Sequence, residues 1–378
     1  METESLNFLT QMLSHGTPSG HEEPAQKVWV NYVKPFVSRP FFVGCYCDSM
    51  GNVWAQPETF GSFPDLSIKK VMVVGHCDEI GLMCSYATDE GYIHFVPIGG
   101  VDLDVLQGSR VKFVESGVVG VVGCRPTHLK AQDEEEGANE SNGRKPRIRD
   151  FWIDIGASDK EEALECVPVG SMAYVHSEIA TLRNGIIASH GIDDKVGAFV
   201  SAEVLKSYAT RNLVESRKVC VVGVSSVQEE IGFCGAKVVS EVVKPDAAIV
   251  VDVGFASDTP DEDDMKTVGE ASLGKGPLVH RGAAVNRVLL DCLLRAARQR
   301  EIPIQMVPEP DETGTDADVV RLSGEGIPTA IVSVPVRYMH TPSELCNLAD
   351  VQHTIDLIVE AMDLIGDCQS FAPFDLEP

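Results

Sequence analysis

No stretch of the chain approaches the roughly 18 consecutive apolar residues that a membrane-crossing helix needs. The opening residues, Met-Glu-Thr-Glu-Ser, also lack the basic and apolar regions of a signal peptide. Both absences predict a cytoplasmic protein with no membrane partner. Basic residues are scarce, with 31 Lys and Arg against 57 Asp and Glu and a formal charge of −26. That balance opposes nucleic-acid phosphates and anionic lipid surfaces, so nucleic acid is excluded as a partner. Paired CxxC spacing is missing as well. The eleven cysteines lie mostly in apolar runs, which argues against a disulfide or zinc-finger framework and predicts reduced, buried thiols.

At 378 residues the chain exceeds the roughly 250–300 at which a single core stops growing, so two domains are expected, one inserted in the other. Apolar runs at 69–82, ending in polar residues, at 220–228, at 242–253 and from 328 to His340 read as buried strands. Helical patterns at 4–15, 198–208, 283–300 and 348–365 alternate with them, and Ser19 to Glu22 reads as a capping box, with His21 inside it, opening a further helix toward Val33. From about 85 to 178 the texture changes to short β-like runs at 92–96, 110–114, 118–124, 151–155 and 171–175. The predicted fold class is therefore α/β, a mixed sheet flanked by helices formed by 1–84 and 180–378, with a small β-rich domain at 85–179. Within the insert, residues 132–149 segregate acidic from basic charge and predict a mobile loop.

The chemistry gathers where strands end. The run 220–228 stops at Glu229 and Glu230 and gives way to glycines, and open α/β sheets bind ligands at the carboxyl ends of their strands. Adjacent carboxylates in apolar surroundings need a cation or a shared proton; a solvated pair opening the next helix is the competing reading. His76 and Asp78, two apart, project from one face of an extended segment, so Asp78 can orient the imidazole. A core histidine bonded to backbone would look the same. Asp193 and Asp194 precede a helix, where Asp is also an ordinary N-cap. Asp252 and His340 end the remaining strands. Two His and three carboxylates form a nitrogen–oxygen set suited to zinc, cobalt or manganese, and can hold two ions if one carboxylate bridges.

These residues resemble the tetrahedral, deblocking and glutamyl aminopeptidases, cytosolic metallopeptidases some of whose members were mislabelled endoglucanases. The similarity runs from TPSGHE at 17–22 to the C-terminal helix, and its most specific matches are HCDEIGLM at 76–83, GIDDKVGA at 191–198, QEEIGFCGA at 228–236, VDV at 251–253 and RYMHTPSE at 337–344. The resemblance implies a zinc-peptidase-like fold with a PDZ-like oligomerisation insert. It implies two divalent ions per subunit, zinc or cobalt with manganese as a third option. His76, Glu230, Asp252 and His340 would be terminal ligands, and Asp193 the bridge, preceding a cis peptide bond to Asp194. Glu229 would be the general base, with Asp78 supporting the metal-binding His76. Asp316, in the matching Gly314-Thr-Asp-Ala317 segment, would contact substrate.

The expected function is thus removal of N-terminal residues from small peptides by a water activated between two metals, in a homo-oligomer of dimer to dodecamer size. Two rivals remain at this point: a glycoside hydrolase built on the paired carboxylates, and a non-enzymatic scaffold around a structural metal.

Overall fold

A computed structural model describes residues 1–37, 42–57, 68–125, 146–210, 218–260 and 269–374. Two helices open the chain, α1 (Thr3–Leu13) and α2 (Glu23–Val37), followed by a hairpin of β1 (Phe42–Cys47) and β2 (Val53–Pro57) and then β3 (Lys69–His76). Six strands come next, β4 (Gly81–Ala87), β5 (Ile93–Ile98), β6 (Arg110–Phe113), β7 (Val119–Cys124), β8 (Phe151–Asp154) and β9 (Met172–Val175). Among the described residues they close into a barrel in the order β4-β5-β8-β7-β6-β9. Alternation sets their faces: on β7, Val119 and Val121 are exposed while Val122 is buried with Val111, Phe113 and Ile153.

The chain then re-enters the large sheet through β10 (Ala180–Thr181) and β11 (Ile186–Ser189), and continues with α4 (Ile192–Thr210), β12 (Val219–Ser226), α5 (Cys234–Val243) and β13 (Ala247–Phe255). A short α3 (Lys160–Cys166) sits earlier, between the last two barrel strands. The remainder is β14 (Leu278–Gly282), α6 (Arg287–Arg300), β15 (Gln305–Glu309), α7 (Ala317–Val320), β16 (Thr329–Arg337), β17 (Glu344–Asn347) and α8 (Leu348–Asp367). Among the described residues the sheet runs β1-β2-β12-β3-β13-β16-β17-β11-β10, with β14 and β15 attached beside β16.

Its centre, β12-β3-β13-β16, is parallel throughout. These strands are Val- and Ile-rich and buried on both faces, as a sheet covered by helices on each side requires. Helix α4 is buried nearly all round, which marks it as a central element rather than a surface one. It lies so close to β3 that a Cβ on Gly75 would fall 2.2 Å from the Gly197 backbone. Only glycine allows this approach, and through it the start of α4 is brought under the carboxyl edge of the sheet.

Several sequence expectations are corrected. The strand expected over 242–253 begins at Ala247, because Val242 and Val243 close α5. The helix expected from 283 starts only after Asn286, whose side chain accepts from the amides of Val288 and Leu289. Ser19 does not cap α2: its hydroxyl donates to Asp78 at 2.6 Å, and His21 precedes the helix. Cys47 is exposed, whereas Cys77, Cys84, Cys220, Cys292 and Cys346 are buried. Residues 132–145 of the charged loop lie outside the described residues. Among the described residues no helix is long and apolar enough to cross a membrane.

Candidate metal centre

Parallel strands deliver the site. His76 is the last residue of β3 and Asp252 lies within β13, so both sit on sheet backbone. Glu229 and Glu230 follow β12, His340 follows β16, and Asp193 opens α4. All five expected ligands and Glu229 meet in one cleft of about 630 Å³, at the carboxyl edge where such sheets bind ligands.

Asp193 stands in the middle. Its Oδ1 is 3.3 Å from His76 Nε2 and its Oδ2 is 3.2 Å from His340 Nε2. Asp252 Oδ1 lies 4.0 Å from His76 Nε2, and Glu230 Oε2 lies 3.6 Å from His340 Nε2. Two groups of possible ligand atoms result, His76-Asp193-Asp252 and Asp193-Glu230-His340, with all atoms of a group within 4.8 Å of one another. Asp193 belongs to both. Glu229, with Oε2 3.7 Å from His76 Nε2, belongs to neither. The peptide bond from Asp193 to Asp194 is cis.

Supporting contacts fix these side chains. His76 Nδ1 lies 3.0 Å from the Asp78 carbonyl oxygen and 3.5 Å from its carboxylate, so backbone more than side chain orients the ring. The Asp78 carboxylate instead accepts the amides of Glu229 and Glu230 at 3.0 and 3.2 Å. His340 Nδ1 lies 3.0 Å from the Gly100 carbonyl oxygen. Asp194 accepts the His76 amide at 3.2 Å and the Gly197 amide at 2.9 Å. Asp316 is placed behind this set: it is 1% exposed, its Oδ2 accepts from the Ser226 hydroxyl at 2.7 Å, and its Oδ1 has no hydrogen-bond partner. Among the cleft-lining residues its place is taken by Thr313, Gly314 and Thr315.

So many buried carboxylates repel one another. Burial, with Asp252, Asp316 and Glu230 nearby, pushes Glu229 up to about 10. Burial and Asp193 raise Glu230 to about 8, and burial with Asp193 and Asp316 raises Asp252 to about 8. The bond to Asp193 lifts His340 to about 9. For Asp193 burial alone would raise the carboxyl, but the two imidazoles hold it well below its usual range. Cations relieve such repulsion, and two imidazole nitrogens with carboxylate oxygens form a donor set that accepts divalent ions. The residues present fit a two-ion centre.

Further residues matter that the sequence did not single out. Glu344 accepts the amides of His340 and Asp193 at 2.9 and 3.0 Å. Glu79 is buried between Lys195 and His190, at 2.8 and 2.7 Å. The position of Glu344, four residues after His340, was the sole trace of its role; Gly100 acts through a backbone carbonyl and left none.

Comparison with known proteins agrees with this geometry. The model of the M42 glutamyl aminopeptidase family matches residues 62–357. The chain is 37% identical to a lysyl aminopeptidase of Pyrococcus furiosus over 82% of its own length and 84% of that protein's. A TET aminopeptidase from a marine sediment thaumarchaeon superposes with a TM-score of 0.83 at 28% identity, covering 95% of this chain and 96% of that one. The Pyrococcus horikoshii TET1 peptidase, which can assemble into a tetrahedron or a large octahedral shell, gives 0.76 at 28% identity over 94% and 98%. On its whole-length similarity and its paired ligand groups, this chain belongs to the M42 glutamyl aminopeptidase family.

Proposed function

We infer that this metallo-aminopeptidase removes N-terminal residues from small peptides, with Asp193 bridging two ions, His76 and Asp252 completing one ligand group, Glu230 and His340 the other, and Glu229 as general base. One observation carries the reading: the two oxygens of Asp193 face two different imidazoles while Glu229 stands 3.7 Å from His76 and belongs to neither group. Two divalent ions held there, zinc or cobalt before manganese, would supply Lewis acidity for the scissile carbonyl and for a water, and their charge would lower the raised pKa of Glu229. Glu229 then takes the proton of the attacking water on a carboxylate oxygen and returns it to the leaving amine nitrogen. Asp78 holds Glu229 in place through its amide.

The cleft volume suits a short peptide. Phe255, Leu278, Val307 and Met339 give it apolar walls, and its acidic lining, with Asp316 the candidate outside the ligand groups, suits a cationic α-amine. A glycosidase would need its carboxyl groups about 5 Å or more apart across a sugar bond, whereas here they converge on two imidazoles. The barrel and the large sheet read as two units, the barrel serving assembly. Exposed Val96, Val119 and Val121 on its strands and the shells formed by the P. horikoshii relative support a homo-oligomer between dimer and dodecamer, and the acidic charge supports a cytoplasmic enzyme without nucleic-acid or membrane partners.

Matched peptides with free and acetylated N-termini test this. Acetylation leaves the lining carboxylates without their cation at a cost of about 3–5 kcal/mol, so kcat/KM should fall by about 10²–10⁴-fold, and chelation should abolish cleavage of both. Equal cleavage of the two peptides, or activity without divalent ions, would overturn it.

A further inference from the structure

The two ligand groups are not equally well built. In the first, His76 and Asp252 are strand residues, His76 paired with Ser226 of β12 and Asp252 with Ser333 of β16. In the second, Glu230 and His340 lie in loops beyond β12 and β16. His340 also has a φ of +60° and Tyr338 one of +62°, a conformation that non-glycine residues keep only where surroundings hold them. Something must hold this turn.

We propose that Glu344 is the positioning residue of the second ion's site, a carboxylate that clamps the backbones of His340 and Asp193 together; the proposal rests on the two-ion reading above. Glu344 is 3% exposed and lies outside both ligand groups. Its Oε1 accepts the His340 amide at 2.9 Å and its Oε2 the Asp193 amide at 3.0 Å. Its place in the sheet explains the reach: β17 pairs with β16, which leads to His340, and with β11, where Glu344 opposes Ser189 shortly before Asp193. Two N–H donors converge on this side chain, and only a carboxylate presents two acceptor oxygens; an amide would turn its own NH₂ toward one of them.

The test is calorimetric titration of the ion-free, full-length chain with cobalt. Wild type should take up two ions, and fewer than two would overturn the functional reading and the clamp with it. Glu344→Gln, which keeps the volume, should weaken the second ion about 10–100-fold while the first is far less affected, and excess cobalt should restore kcat. In a His340→Ala background the same substitution should have little further effect. Glu344→Ala should be the larger lesion; if it fails to fold, the Gln variant decides. Two ions bound by the folded Gln variant with wild-type affinities, or both weakened equally, would overturn the clamp.

Discussion

The carbonyl oxygen of Gly100 lies 3.0 Å from Nδ1 of His340, so a turn leaving barrel strand β5 orients a side chain of the metal centre. Such a bond places the imidazole proton on Nδ1 and leaves Nε2 to face Asp193 and Glu230.

A Cβ on Gly100 would stand 3.2 Å from His340 Nδ1, and the ring would have to yield by a few tenths of an ångström. Gly100→Ala should therefore weaken the second ion by about tenfold, read by metal titration. Deleting residues 86–178 should cost activity as well as assembly, since Gly100 goes with the barrel. A deletion variant that is smaller by light scattering yet fully active would show that the turn is dispensable.

Glu229→Gln keeps the shape and loses the proton acceptor. We expect kcat to fall by about 10²–10⁴-fold with ion content unchanged by elemental analysis. Loss of an ion from this variant, with both retained in Glu230→Gln, would exchange the roles of the two glutamates.

Without ions, burial raises Glu229 to about 10 and Glu230 and Asp252 to about 8, and the Asp193 bond raises His340 to about 9. Each of these groups holds its proton more tightly folded than unfolded. Their contribution is thus complete below the unfolded values and is lost as pH rises through about 8–10. The melting temperature of chelated protein should drop from pH 7 to 10, and added zinc should flatten the curve and bind more tightly as pH rises. A chelated protein that grows more stable across this window would contradict the protonation described here.

Lys195, wholly buried, contacts Glu79 Oε1 at 2.8 Å, and His190 contacts Oε2 at 2.7 Å. Burial alone would raise Glu79, but these two neighbours hold it down at about 2. Lys195→Met strands part of that charge and should cost about 3–5 kcal/mol in denaturant unfolding. A loss under about 1 kcal/mol would mean that His190 alone suffices.

The four central strands were legible because Val- and Ile-rich runs buried on both faces leave a continuous apolar signal, and His76 falls where that signal stops. Boundaries blurred where two apolar elements abut, as between Val243 and Ala247. Helix α3 stayed hidden in the β-rich stretch because its seven residues bury one side chain, Ala163, too few to show a period. Strand β4 starts at Gly81, inside a segment that reads as the polar end of β3. The five ligand-type residues could be read from their places in or just after strands and, for Asp193, at a helix start, whereas Glu344 and Gly100 could not. Their roles depend on which amide or ring nitrogen a folded loop brings to them, and no pattern of residue types encodes that.

The ligand-type residues are spread along the chain from His76 to His340, and β16, which leads to His340, pairs with β13 only near the end of the sequence. Ribosomes add about 5–20 residues per second, so tens of seconds separate the emergence of the first ligand from that of the last. Late in that interval, once Asp252 has emerged, the nascent chain carries His76, Asp193, Glu230 and Asp252 but neither the second imidazole nor the strand that presents it. The set of ligand-type residues is therefore complete only when His340 has left the ribosome, and the site assembles late in synthesis rather than strand by strand.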